Sequence, residues 1–593
     1  MTKLGTETIT WDLSDLYSSP GDDLIEQTLV KIVQQAQEFN SLYKGKLHTL
    51  STNEWVSLFN DYQSIKIDLY KTAQYASLEL STDTQNDVLK ALQARVEDIS
   101  TQISNLLLFF TLECSQLSDD KVQSLVNEDV LSEYAYFFKR QKDNATYKLS
   151  ELEEKIITLK DLTGENGYKK LYRELTSAFS FEFEYDGQLQ TLNGTQLRNL
   201  RMHKDAAVRR RAMKLFYSRY EEHQITITHV FNNLFKDFNV ERELRGYDSA
   251  IQVRNVVNDL SAKAVDSLHQ VTTASNTLVQ RYYKIKSDII NLPDLTLADI
   301  YAPMPTSNKI YSFDESKEIV LKGFAAFDDD FYRFAKEMFD EKRIHAPVLP
   351  TKQGGAYCSG YTPDVKPYVM LNHLGKARDV STMAHELGHA IHDMFACKQQ
   401  LINYHPILPL AETASVFSEM IITDLLLAEV TDDETKQSIL TEKLEDIFAT
   451  SHRQNMFSCF EMAAHDKVMK GLPSVEDYCS IYHDGLKQMF ADSVIIPAEY
   501  RWEWSTIPHF INVPFYVYAY NFGNLLVMAL YQQYKEEGQS FIPKLKEVLS
   551  AGSLMDPVSI TKIVGADIES PAFWQKSIVY IESLINELET LRR

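Results

Sequence analysis

Two patterns overlap between Met383 and Ala396, and both repeat at the three- and four-residue spacing of an α-helix. Met383, Leu387, Ile391 and Met394 form an apolar stripe, while His385, His389, His392 and Ala396 form a second stripe on the other side. A helix that packs on one face and carries a file of histidines on another belongs at the wall of an internal cleft. The spacing predicts a helix from about Asp379 or Ser381 to about Phe395. Within it, HELGH sets His385 and His389 one turn apart on one side. Two imidazoles so placed suit a zinc ion, and Glu386 stands beside the open coordination position as a candidate base for an attacking water. Gly388 lowers helix propensity but leaves room for close approach beside the ligands. His392, one turn beyond His389, reads as a residue lining the cleft.

A catalytic zinc takes three protein ligands and leaves one position open, so a further ligand must come from another element. The segment AETASVFSE, starting at Ala411, offers Glu412 and Glu419, seven residues apart and expected on one face of a helix. Either could reach the metal while the other orients a ligand imidazole. Ala411, Ala414, Ser415 and Ser418 are small and predict a tightly packed helix there. Glu412 is the favoured third ligand, with Glu419 and Asp393 as competitors.

Length and charge narrow the surroundings of such a site. A chain of 593 residues, 44% hydrophobic and 11% aromatic, can bury a large interior and is expected to form more than one lobe. Its formal charge of −23 argues against general affinity for nucleic-acid phosphates or anionic membranes. The start, MTKLGTETITWDLSDLY, lacks the apolar core of a signal peptide, and the run Leu106 to Phe110 is too short to span a bilayer. Five cysteines without a close CxxC pair predict reduced thiols in the cytoplasm. No phosphate-binding glycine loop, dinucleotide fingerprint or nucleophile elbow is present.

Residues about 20 to 175 read as amphipathic helices. FSFEFEYDGQLQTL then alternates around Asp186-Gly187 and predicts a hairpin. The break after it sets the expected boundary between an N-terminal helical region, 1–195, and a catalytic region, 196–593. Arg209 to Arg211 fan around a helix and predict an ion-paired or solvated face. Residues 291 to 380 are rich in proline and glycine, and Tyr368 to Asn372 is the best strand candidate, placed to pair with an extended peptide.

These motifs resemble the oligoendopeptidase F family, zinc metallopeptidases related to thimet oligopeptidase. HELGHAIH followed by AETASVFSE carries the likeness, with WDLSDLY, RGYDSA, GGAYCSG and IPHFINVPFYVYAYNFG spreading it over nearly the whole chain. The resemblance implies a mainly α, two-lobed zinc peptidase with a deep channel for short unfolded peptides and a small β element near the active site. It implies one Zn2+ held by His385, His389 and Glu412, with Glu386 as base and Glu419 accepting a proton from a ligand histidine. It also assigns oxyanion stabilisation to His509 and Tyr516, with Tyr518 and Tyr520 as alternatives to the latter. Gly523 departs from the thimet branch, which can carry a tyrosine there. Two other readings stand beside it: a metallo-exopeptidase using the same water chemistry, and a non-catalytic helical peptide-binding protein. Oligomeric state and side-chain preference stay open.

Overall fold

The computed structural model describes residues 4–305 and 309–592. The fold is mainly α, and its described strands form only a two-stranded hairpin and a three-stranded sheet. The chain divides into two compact units, each assembled from three separate stretches.

The first unit comprises Met1–Thr146, Asn308–Glu429 and Gln533–Asp567. Its opening helices, Asp23–Tyr43, Thr52–Thr82 and Asp87–Gln116, each start at a residue whose side chain takes up the otherwise orphaned amides: Asp22, Ser51 with Glu54 in a capping box, and Asn86. Ile25, Leu29, Ile32, Ala36 and Phe39 recur at three and four on the first helix and are all buried. Aromatic rings fill the space they enclose, with Phe59 stacked on Tyr134 at 3.7 Å and Trp55 edge-on to Phe138 at 5.3 Å. Each such ring removed from water contributes about 1.5–3 kcal/mol.

The sheet of this unit has the order β3 (Ile344–His345), β5 (Tyr368–Met370), β4 (Tyr357–Ser359), parallel between the first pair and antiparallel between the second. The WDLSDLY segment braces its outer side. The Ala346 amide donates to the Ile9 carbonyl at 2.9 Å, and the Asp12 amide donates to Lys342 at 2.8 Å. Trp11 packs on His345, and Tyr368 donates to the Asp15 carboxylate. The expected peptide-binding strand, Tyr368 to Asn372, is therefore corrected: β5 is central and has partners on both sides. Val369 and Leu371 donate to the Arg343 and His345 carbonyls, so Tyr368 and Met370 turn toward Ser359 and Tyr357. Alternation then leaves Cys358 of β4 with its N–H and C=O directed outward.

The second unit comprises Tyr147–Ser307, Val430–Gln532 and Ile568–Arg593. Its hairpin, β1 (Ser180–Tyr185) and β2 (Gln188–Asn193), pairs in the expected register about Asp186 and Gly187. Both turn residues have positive φ, 50° and 75°, as a two-residue turn matching strand twist requires. The first two arginines of the run are ion-paired. Arg209, buried, meets the fully buried Asp299 at 2.8 Å, Arg210 bridges Asp299 and Asp294, and Arg211 donates to the Glu184 carbonyl. Thr296 supplies two further donors to Asp299, so that buried carboxylate is fully satisfied. No cysteine forms a disulfide. No helix among the described residues is long and apolar enough to cross a membrane.

Candidate metal centre

The histidine helix runs from Ala377 to Ala396, starting slightly before the position the spacing predicts. The Asp379 carboxylate explains the earlier start, because it reaches back to accept the Lys376 and Leu374 amides at 2.8 and 2.9 Å. Met383, Leu387 and Ile391 are completely buried. They anchor one face so that the other looks into a cavity of about 420 Å3. That cavity lies within the first unit and is lined by His385, Glu386, His389 and Glu412, with Tyr357, Cys358 and Gly360 as part of its wall.

Against this helix packs the glutamate helix, Thr413–Glu429. Contact is closest at Gly388: a Cβ there would lie 2.6 Å from the Ala414 carbonyl oxygen and from Ser415 Cα. Both obstacles are backbone, so only a missing side chain permits the approach. Gly388→Ala is expected to push the helices apart, costing toward the upper end of about 1–3 kcal/mol. It should also weaken metal binding, since Glu412 and Glu419 ride on the displaced backbone. Thermal melts and metal titrations check this; an unaltered melting point with full metal affinity would show that the helices yield freely.

Glu412 sits in the turn between a short helix, Leu408–Ala411, and the glutamate helix, not inside one continuous helix as its spacing from Glu419 predicts. Its carbonyl starts the glutamate helix by accepting the Val416 amide at 3.1 Å. Its carboxylate is thereby aimed at both imidazoles, with Oε2 at 3.4 Å from His385 Nε2 and 3.3 Å from His389 Nε2. Ser415 donates to the same oxygen at 2.7 Å. Glu419, two turns on, takes the opposite side of the first imidazole: His385 Nδ1 donates to its Oε1 at 2.6 Å. This bond fixes the ring and turns Nε2 toward Glu412.

The donor set fits a zinc ion. His385, His389 and Glu412 offer ligand atoms that all lie within 4.8 Å of one another. The two His–Glu separations match the edge of about 3.3–3.4 Å expected for a tetrahedron with bonds of about 2.0–2.1 Å. Electrostatics agree. Burial pulls the His385 imidazole down, but the hydrogen bond and charge of Glu419, aided by Glu386 and Glu412, outweigh it and hold the group up at about 9. Burial would raise Glu412, yet His389, His385 and Ser415 bring it down to about 2. The cluster thus stabilises positive charge at the His385 imidazole, and a bound metal would displace the proton held there.

Glu386, buried and without a hydrogen bond among the described residues, faces the same cavity. Burial raises its pKa, countered in part by His385 and His389. His392 is buried, lowered to about 4 by desolvation, and lies outside the donor cluster while lining the cavity. Asp393 also lines the cavity and is not among the clustered donors.

His509, Tyr516 and Tyr520 gather in the second unit. The His509 and Tyr516 rings lie 6.1 Å apart and near-parallel, and the Tyr520 hydroxyl lies 3.4 Å from His509 Nε2. Tyr518 points the other way. It is fully buried, and its hydroxyl accepts from Asn258 at 3.0 Å. Spacing alone left the three tyrosines equivalent.

Residues that motif reading missed hold this cluster's loop. Phe515 has φ of 57°, left-handed for a bulky side chain, and its ring is buried against His465 at 4.8 Å. The completely buried Glu461 accepts the Phe515 amide at 2.9 Å, while Arg254 donates to the Pro514 carbonyl and lies over the Tyr516 ring. A signal was present: Glu461 interrupts the buried positions Phe457, Phe460 and Ala464 of its helix, where a charged residue needs a specific partner.

A mainly helical fold that presents two histidines of an HExxH helix to a carboxylate from the turn before the glutamate helix defines a metallopeptidase. Peptidase family M3 matches residues 327–580, and the oligopeptidase F profile matches residues 113–181. The chain is 26% identical to oligopeptidase PepF of Bacillus subtilis, covering 98% of this chain and 87% of that protein. It is also 26% identical to an oligoendopeptidase F homolog of Borreliella burgdorferi, over 98% of both. The fold is shared with a Chlamydophila abortus protein (TM-score 0.90, 24% identity, 98% of each chain). Oligoendopeptidase-F of Enterococcus faecium also shares it (TM-score 0.69, 23% identity, 96% of this chain and 98% of that one). The chain belongs to peptidase family M3, and it is an oligopeptidase of the oligoendopeptidase F kind.

Proposed function

We propose that this oligopeptidase is a one-zinc endopeptidase that cleaves internal bonds of short unfolded peptides in the cytoplasm, with 196–593 as its catalytic region. The observation that carries the reading is the Glu412 carboxylate, set 3.3–3.4 Å from both Nε2 atoms while Glu419 occupies His385 Nδ1. His385, His389 and Glu412 would hold the ion. When bound, zinc supplies Lewis acidity that polarises a scissile carbonyl and makes water nucleophilic near neutral pH. Glu386 takes the proton from the attacking water and delivers it to the leaving amine. Glu419 keeps the His385 ring in one orientation throughout. His509 and Tyr516 donate hydrogen bonds to the carbonyl oxygen as negative charge builds on it, the role the family likeness implies for them.

Substrate is held mainly through its backbone. A peptide extended along β4 can exchange hydrogen bonds with the outward N–H and C=O of Cys358. Such bonds are made by any sequence, which gives affinity without a strict side-chain requirement.

A digest of mixed peptides blocked at both ends, analysed by mass spectrometry, tests the reading. Internal cleavage that a chelator stops and added zinc restores is expected. Intact blocked peptides beside trimmed unblocked ones would instead establish an exopeptidase.

A further inference from the structure

Asp393 is a half-buried carboxyl in the wall of the metal cavity, and nothing among the described residues pairs with it. It projects one turn beyond His389 on the histidine helix, about 6 Å further along the axis, and lines the same cavity. Three separate costs fall on it. Burial drives its pKa up to about 7, offset only in part by His389. Among the described residues it has no hydrogen-bond donor and no cation within salt-bridge reach. It also stands in the last turn of its helix, where the backbone dipole disfavours negative charge. Among the described residues Asp393 makes no ion pair that would offset these costs.

Its neighbours show what the carboxyl faces. A Cβ on Gly360 would lie 1.9 Å from Asp393 Oδ2, so the glycine makes room for the carboxyl beside the end of β4. Cys358, whose main chain faces outward there, lines the same wall. A peptide lying along β4 with its scissile carbonyl near His385 and His389 would pass a flanking residue over Asp393. One extended residue advances about 3.3 Å, so the carboxyl is within a side chain's reach of the reacting bond.

We propose that Asp393 forms a subsite for an organic cation of the peptide, a lysine or arginine side chain or the terminal ammonium, next to the scissile bond. The proposal rests on the peptidase reading above and adds its side-chain preference. A cation supplies the missing donors and charge together, whereas a neutral isostere would cover the carboxyl and leave it unmatched.

The test uses the full-length, zinc-loaded protein and two readouts in parallel: cleavage of internally quenched peptides, and competition binding by fluorescence anisotropy with non-hydrolysable analogues. Peptides carry lysine, arginine, norleucine or glutamine at each position around the bond, with free or acetylated N-termini. Wild type is expected to favour the cationic member at one position by about 10–100-fold. Asp393→Asn should reduce that ratio to about one, Asp393→Glu should retain part of it, and Asp393→Lys should shift the preference toward glutamate. Acetylation separates the two sources, because only a terminal-ammonium subsite loses its preference when the N-terminus is blocked. No cationic preference in wild type, a preference that survives in Asp393→Asn, or loss of zinc stoichiometry in Asp393→Asn would each overturn the proposal. Absence of cleavage with the binding preference intact would sink the peptidase reading and leave the subsite standing.

Discussion

Glu386→Gln is expected to reduce turnover about 10²–10⁴-fold while the protein keeps its metal. The exchange preserves shape and removes only the ability to accept a proton. Glu386 is suited to this test because it makes no hydrogen bond among the described residues and touches none of the clustered donors as a ligand. Burial raises its pKa, which strengthens it as a base compared with an exposed carboxylate. Metal analysis alongside turnover of an internally quenched peptide decides the matter. Near-normal turnover would remove Glu386 from the chemistry, and loss of metal would make it a ligand.

Glu412→Ala has the opposite signature. Removing the carboxylate that faces both imidazoles should weaken zinc by more than the roughly 10–100-fold typical of losing an outer partner. Activity should fall with occupancy and recover at high zinc. Glu419→Gln, which loosens only the His385 ring, is expected to fall within that 10–100-fold range. Titration against a competing chelator therefore predicts a graded series, with Glu412→Ala weakest, Glu419→Gln intermediate and Glu386→Gln close to wild type. Full zinc retention by Glu412→Ala under mild chelation would transfer the third-ligand role to another carboxylate.

The contrast between these variants follows from how far apart in sequence the interacting groups lie. His385, Glu386 and His389 share one helix, so their relation is fixed by a 3.6-residue period that any reader of the chain can apply. Glu412 and Glu419 are different. A seven-residue separation places them on one helical face, whereas the chain turns at Glu412 and sends the two carboxylates to opposite nitrogens of His385. Likewise, the sequence marks Tyr368 to Asn372 as a strand candidate but does not reveal that β3 and β4 flank its core. Tyr516, Tyr518 and Tyr520 alternate by two in sequence, and only packing turns Tyr518 toward Asn258 and the interior.

By itself the sequence determined the mainly helical fold, the hairpin about Asp186-Gly187, and the pair of histidines with an adjoining carboxylate. All three depend on residues a few positions apart, for which backbone geometry is nearly fixed. The tertiary structure alone decided which glutamate faces both imidazoles and which edge of the sheet is open. It alone also leaves Asp393 at the cavity wall without a partner among the described residues. Those outcomes depend on where separate segments meet, and at Gly388 the absence of one Cβ sets that distance.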